Sequence, residues 1–473
     1  MKKIASENVK NVFMVVSSNF FIIMVQLLMG FVLPKQLGVV NYAYYRVYYL
    51  YVSYAGLMHL GFVNGIYLKY GSYNNDELPV EKFRGFGRIM FALQLVVAAV
   101  LTVLLVLLRG QMDTSTMIAY AFVIVNIPLI NIKWFYSSIN QFTKRFVSDS
   151  YVTYLQNVLM FCIVMTVVIG HWHNFIGVLI LTTIMNLICM LAVMGQNWRI
   201  IAGPCREHVW QEATGLIKNG FFLMLSEFVA IIILGIDSIF VQNLFSVEDF
   251  AMYSFAVSLL TVIYALISTV SNLVYPYLAR VSEEKYAEYY SLMSDVLCVV
   301  TVMSLIGFYV AKFIVDSWMQ EYTDSIPITA VLFGTIIFRS LIMLVCGNYF
   351  KVLKMIREYT VNNIFAITIS FVLNLIAYFV FQDYLYIALA SLLSFIIWYI
   401  VTDYVFIKKL AIPLSGCLPR YICITLALAA FYLLLRLSGL LAAVLYFVIA
   451  VVICVICFRR QFKKLLGLVK AAK

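Results

Sequence analysis

The chain is 473 residues long, 64% hydrophobic and only 12% charged, with a mean hydropathy of +0.98. A soluble protein of this length carries about twice that charge fraction, so a soluble enzyme is excluded and a polytopic, all-α membrane protein is indicated. The net charge of +11 would suggest nucleic acid in a soluble chain; here it reads as basic loops on an anionic inner leaflet, with no nucleic-acid partner.

The first apolar segment, 12–33, follows Lys2, Lys3 and Lys10. It is too long for a signal-peptide core and lacks a small-residue cleavage site, so it is read as a retained first helix. About 20 apolar residues cross the roughly 30 Å of hydrocarbon. By that ruler the spans fall near 12–33, 42–68, 89–108, 116–140, 147–169, 175–195, 216–241, 250–278, 289–314, 326–350, 359–381, 384–406, 418–437 and 439–458, fourteen in all. With both termini cytoplasmic, 26 of the 33 Lys and Arg fall on the inner side, Arg420 among them, four fall outside, and Arg46, Lys133 and Arg339 lie within helices. That asymmetry over short loops sets the expected orientation.

The longest connection, Gln196–Gly215, contains Gly203-Pro204 and divides the chain near its middle. The expected organisation is a six-helix lobe over 1–203, a second over 204–410, and a terminal helix pair with a basic tail over 411–473. An internal repeat supports the division. Val39-Val-Asn-Tyr-Ala-Tyr-Tyr45 corresponds to Val247-Glu-Asp-Phe-Ala-Met-Tyr253 at an offset of 208, which also pairs Asn64 with Asn272 and Asn140 with Asn348. Six helices per unit is an even number, so both halves share one orientation about a pseudo-two-fold along the membrane normal.

Helical periodicity places Ser254, Ser258, Thr261, Ser268 and Asn272 on one face of the eighth helix, and Arg46, Ser53 and Asn64 on the equivalent face of the second. On the fourth, Asn126, Lys133, Ser137 and Asn140 share a face. Hydrocarbon cannot solvate such groups, so these faces turn to a cavity or to another helix. Small-residue packing would account for the Ser and Thr, but a Lys near mid-membrane favours a hydrated cavity. Arg46 is near enough to the outer boundary to snorkel, whereas Lys133 and Arg339 are too deep. Two acids of the seventh helix, Glu227 and Asp237, are candidates for pairing with these cations or for coupling to an ion. The first six helices hold no Asp or Glu away from their ends; Asp149 sits at one end. A cation exporter needs intramembrane carboxylates, so an anionic, phosphate-bearing cargo is favoured.

Seven tyrosines crowd 42–54, and those on the Arg46 face, Tyr42 and Tyr49, are candidate sugar contacts. His59 is read as a core histidine rather than a proton relay. His171-Trp-His173 reads as a solvated turn, and Cys454-Val-Ile-Cys457 as packing inside the last helix. The nine cysteines imply no disulfide framework. No nucleophile–base pair, phosphate loop or metal-ligand cluster is present, so neither a cofactor nor a metal is expected.

The run Gly30-Phe-Val-Leu-Pro-Lys-Gln-Leu-Gly-Val-Val-Asn-Tyr-Ala-Tyr-Tyr45, with Gly61-Phe-Val-Asn-Gly-Ile-Tyr-Leu-Lys-Tyr-Gly71, resembles the opening of polysaccharide flippases of the multidrug/oligosaccharidyl-lipid/polysaccharide exporter superfamily. Leu37-Gly38, Tyr45 and Lys69-Tyr70 fit that pattern, while Ala43 stands where glycine is usual and Val39-Val40-Asn41 replaces Pro-Glu-Glu. The resemblance implies a bacterial inner-membrane flippase that moves an undecaprenyl-pyrophosphate-linked oligosaccharide by alternating access around a cationic cavity. Membrane lipid and other polysaccharide assembly proteins are its further implied partners. The expected substrate contacts are Arg46, Lys133, Arg339, Asn64, Tyr42, Tyr49 and Asn272. Two alternatives stay open: a drug or cation antiporter of the same fold, and a membrane polysaccharide polymerase or ligase, although the latter usually carries a large outer loop that this chain lacks.

Overall fold

A computed structural model of the chain describes residues 2–71, 73–204, 209–278, 281–437 and 440–459. Side chains are described from Met24 onward, except at 226, 227, 230, 262, 265, 266, 268–270, 272, 273, 275–277, 356 and 440. The side chains of Glu227 and Asn272 therefore lie outside the described residues. Among the described residues every regular element is helical, as hydrocarbon demands of a chain that must satisfy its own backbone. Ten helical segments there are long and apolar enough to cross a membrane, and the chain is a multi-pass membrane protein.

The chain forms two compact units, Met1–Gly235 and Ile236–Lys473. The first holds α1 (Lys2–Val52), α2 (Phe62–Tyr70), α3 (Val80–Leu108), α4 (Thr114–Phe142), α5 (Phe146–Ile169), α6 (Phe175–Gln196) and α7 (Trp210–Ile233). The second holds α8 (Ile236–Leu244), α9 (Val247–Leu278), α10 (Tyr286–Ser304), α11 (Ile306–Trp318), α12 (Ile326–Ser340), α13 (Gly347–Val352), α14 (Ile356–Phe381), α15 (Tyr384–Lys409), α16 (Leu414–Leu434) and α17 (Leu440–Cys457). Each of the fourteen expected spans appears as a helix or an interrupted pair. The first and the opening of the second run together as α1, bent at Gly38, whose φ of +71° suits glycine, and the second continues as α2. The seventh is split into α7 and α8, and the ninth into α10 and α11. The tenth becomes α12 and α13 joined by a π-turn, Leu341–Cys346.

Within the first unit α7 packs on α2. A methyl added at Gly65 would lie 2.0 Å from the Leu216 carbonyl oxygen, and one at Gly220 would lie 2.1 Å from that of Gly61. Only glycines let the two backbones approach this closely. At the start of α7, Glu212 accepts from Tyr70 Oη (2.6 Å) and pairs with Lys69 and with Lys82 Nζ (3.2 Å), tying α2, α3 and α7 together. Burial pushes the Glu212 carboxyl up, but the hydrogen bonds from Lys69, Tyr70 and Lys82 outweigh it and hold the group at about 2.

The terminal pair belongs to the second unit, where α16 packs on α10 and α17 on α11. Arg420 on α16, expected among the inner loop cations, is instead fully buried. Its Nε donates to Asp295 Oδ1 (3.0 Å), and its Nη1 to Tyr399 Oη (3.3 Å) and Asp403 Oδ1 (3.4 Å). The hydroxyls of Tyr290 and Tyr421 donate to the two oxygens of Asp403, each at 2.6 Å. One guanidinium thus joins α10, α15 and α16. A partner removed from a buried pair leaves an uncompensated charge, at a cost of about 3–5 kcal/mol. Arg420→Ala is expected to lower the thermal midpoint of the detergent-purified protein sharply, and adding Asp295→Asn and Asp403→Asn to restore part of it. Size-exclusion chromatography after graded heating measures both.

Candidate functional site

The second span was expected to run unbroken over 42–68, and the structure breaks it in the middle. Helix α1 ends at Val52, a 3₁₀ turn covers Ala55–His59, and α2 begins at Phe62 after Leu60 (φ 52°) and Gly61 (φ 81°). The left-handed conformation is natural for Gly61 and strained for Leu60. A break at membrane depth frees backbone groups that have no water to pair with. Here two buried amides take them up. Asn131 Nδ2 on α4 donates to the Ala55 carbonyl (3.0 Å), and Gln94 Nε2 on α3 donates to that of Met58 (2.9 Å). The amides also bond each other, Asn131 Nδ2 to Gln94 Oε1 at 3.0 Å. His59 Nδ1 accepts from the Gly61 N–H (3.1 Å), so His59 caps the break rather than merely filling the core. Neither Gln94 nor Asn131 was singled out from the sequence; an amide in an apolar span is the signal that marks each.

A cavity of about 310 Å³ opens beside the break. Ser53, Tyr54, Gly56, Leu57, His59, Val63 and Asn64 form one wall. Trp134, Ser137, Ser138 and Gln141 of α4 and Met224, Phe228 and Ile231 of α7 form the others. No charged side chain lines it among the described residues. Of the expected substrate contacts among the described residues, Asn64 alone is in this wall.

The remaining expected residues are placed as follows. Arg46 is half-buried on α1 with its guanidinium 5.2 Å from the Tyr49 ring centroid, and its Nε has no hydrogen-bond partner. Tyr49 is exposed, while Tyr42 is buried and stacks on Tyr45. Lys133 Nζ donates to Gln156 Oε1 on α5 (2.8 Å). One and two turns along α4, Ser137 and Gln141 donate to Asp149 at 2.6 and 2.9 Å, making a polar seam that leads into the cavity. Asn126 and Asn140, expected on the same face, turn instead to α6: Asn126 bonds Thr183 and Asn186, and Asn140 bonds Gln196. These two are helix–helix contacts.

In the second unit, Arg339 is the penultimate residue of α12, two positions before the π-turn, a distortion common at functional sites. Its guanidinium carbon lies 3.4 Å from the Tyr264 ring centroid, a close cation–π contact. The span Gln320–Val352 is 89% buried over its most apolar stretch, and Arg339 is one of its half-buried positions. Asp237 accepts from Tyr253 Oη (2.7 Å), Ser391 Oγ (3.1 Å) and the Ser238 N–H (2.7 Å). Arg339 exerts an attraction on it, but the two form no ion pair. Arg46, Lys133 and Arg339 all lack an ion-pair partner among the described residues. His173 is held by the Gln36 carbonyl (2.7 Å). No group of three or more His, Cys, Asp or Glu among the described residues is arranged to hold a metal.

A family model described as polysaccharide biosynthesis protein matches residues 8–282. Among solved structures, the fold is similar to that of the lipid II flippase MurJ in an inward closed conformation. The TM-score is 0.67 at 13% identity, covering 96% of this chain and 99% of that one. It is also similar to an inward-facing multidrug resistance MATE family transporter of the MOP superfamily. There the TM-score is 0.56 at 12% identity, covering 83% of this chain and 95% of the other. At such identities the likeness is one of fold. No curated protein matches the sequence.

The amide clamp has a measurable worth. Removing one partner of a buried hydrogen bond leaves the other unsatisfied, at about 1–3 kcal/mol. Gln94→Ala and Asn131→Ala are each expected to destabilise the purified protein by that amount. Because the two amides bond each other, the double variant is expected to lose less than the sum. Thermal unfolding of the single and double variants measures the coupling.

Proposed function

The chain belongs to the family of polysaccharide biosynthesis proteins, and on that premise we propose that it is a flippase for a polyprenyl-pyrophosphate-linked oligosaccharide. The supporting observation is that Arg46, Lys133 and Arg339, all within membrane spans, lack an acidic partner among the described residues. A cation withdrawn from water without a counter-charge is costly. A diphosphate supplies that counter-charge through charge-assisted hydrogen bonds, and guanidinium suits it because it binds oxygens two at a time. Tyr49 and Asn64 contact the glycan in this reading. In this reading the protein lies in a bacterial inner membrane with both termini cytoplasmic, an orientation supported by the concentration of Lys and Arg on one side, and transport proceeds by alternating access. No residue is assigned a catalytic role.

The antiporter alternative rests on Asp237, a buried carboxylate ringed by hydroxyls that could serve a cation. Drug efflux from vesicles that depends on Asp237 and ignores the three cations would favour it.

A charge-assisted hydrogen bond contributes about 1.5–3 kcal/mol, roughly 10–100-fold in affinity. In cells lacking the endogenous flippase, Arg46→Ala, Lys133→Ala and Arg339→Ala are each expected to cut surface polysaccharide about tenfold or more at equal protein level. Wild-type polysaccharide in all three variants would overturn the assignment.

A further inference from the structure

The cavity beside the broken span has a hydrogen-bonding character of its own. Most of the described hydroxyls and amides in its wall have already spent their donors within the protein. Ser53 Oγ donates to the Leu50 carbonyl (2.6 Å) and Ser138 Oγ to that of Phe135 (2.8 Å). Ser137 Oγ and Gln141 Nε2 donate to Asp149. What they offer a ligand is chiefly lone pairs, on three hydroxyl oxygens and Gln141 Oε1, with the second Gln141 N–H as a remaining donor. His59 differs. Its Nδ1 accepts from Gly61, which puts the ring proton on Nε2 and leaves that N–H as its donor. Trp134 supplies an aromatic face. Its ring lies against Gly56, where a methyl would come within 2.7 Å of Cζ3, and yet it is 41% exposed.

A wall rich in acceptors rejects a diphosphate, which brings acceptors of its own. It fits a ligand that donates several hydroxyl hydrogens and carries C–H surface to lay on an indole. That is a neutral sugar ring. A cationic ligand would also donate; Asp149, bonded to Ser137 and Gln141, attracts it while Lys133, one turn along the seam, repels it, so charge does not select between the two and competition with tetraethylammonium does. At about 310 Å³ the cavity lies at the small end of the roughly 300–1,000 Å³ typical of ligand pockets. The break itself is built rather than frayed, because two buried amides are committed to holding it open. Discontinuous spans of this kind mark binding sites in membrane transporters.

We propose that this cavity is a saccharide subsite that holds one neutral sugar ring of the cargo, separately from the cations that hold its diphosphate. The proposal rests on the flippase reading for the identity of the cargo, but not for the chemistry of the site.

Saturation-transfer NMR on the detergent-purified full chain tests it, with glucose, galactose, N-acetylglucosamine and rhamnose as probes at millimolar concentration. Inorganic pyrophosphate and tetraethylammonium serve as competitors. At least one sugar is expected to bind, with its dissociation constant raised about tenfold by Trp134→Ala and by His59→Ala. Trp134→Phe, which keeps an aromatic face and the fold, is expected to stay within about threefold. Sugar binding without any pyrophosphate binding would sink the diphosphate reading and leave the subsite standing. Absence of binding by every sugar, indifference to both Trp134→Ala and His59→Ala, or displacement of the sugar by tetraethylammonium would overturn the subsite.

Discussion

Inside hydrocarbon each backbone N–H and C=O must find its partner within the protein, and this constraint shapes every departure from plain helix in the chain. The second span can be broken between Val52 and Phe62 because Gln94 and Asn131 reach across from α3 and α4 to the carbonyls that the break releases. His59 takes the amide of Gly61. At the tenth span the answer is a π-turn, which keeps the backbone bonded while shifting the helical register just beyond Arg339. Both departures adjoin residues with chemistry to offer a ligand. Irregular backbone in this setting is supported at specific points, not merely tolerated.

The described residues present two kinds of surface. Arg46, Lys133 and Arg339 present charge that the described residues do not neutralise. The described wall of the cavity is neutral, made of hydroxyls, amides, an imidazole and an indole. A lipid-linked glycan has the same two parts, an anionic diphosphate joined to neutral rings. The polar seam from Lys133 through Ser137 to Gln141 runs from one kind of surface to the other along a single helix, α4.

Much of this was legible in the sequence, and the rest was hidden for physical reasons. Segment length and charge gave the spans, because the membrane imposes both. Lys133 stood out because a lysine three turns from the nearer end of an apolar helix has no cheap explanation. The break at 53–61 was not visible, since a count of apolar residues passes over Gly56 and Gly61, and what holds the break comes from Gln94 and Asn131, far away in sequence. Helical periodicity put Asn126 and Asn140 on the Lys133 face, but α4 has neighbours on several sides, and α6 claims both. Arg420 was grouped with the inner loops because it lies near the start of an apolar segment. The acids that claim it, Asp295 and Asp403, sit in other spans and were not connected with it.

Arg420 bears on how the protein is made. An arginine inside a membrane helix costs about 2.5–3.5 kcal/mol at insertion, and α16 has no acid of its own to offset it. The carboxylates that do so arrive earlier in synthesis, Asp403 by 17 positions and Asp295 by 125. Until α16 enters the bilayer, Asp295 on α10 and Asp403 on α15 lack the guanidinium that joins them in the folded unit. Completion of the second unit therefore waits for one of the last helices to leave the ribosome.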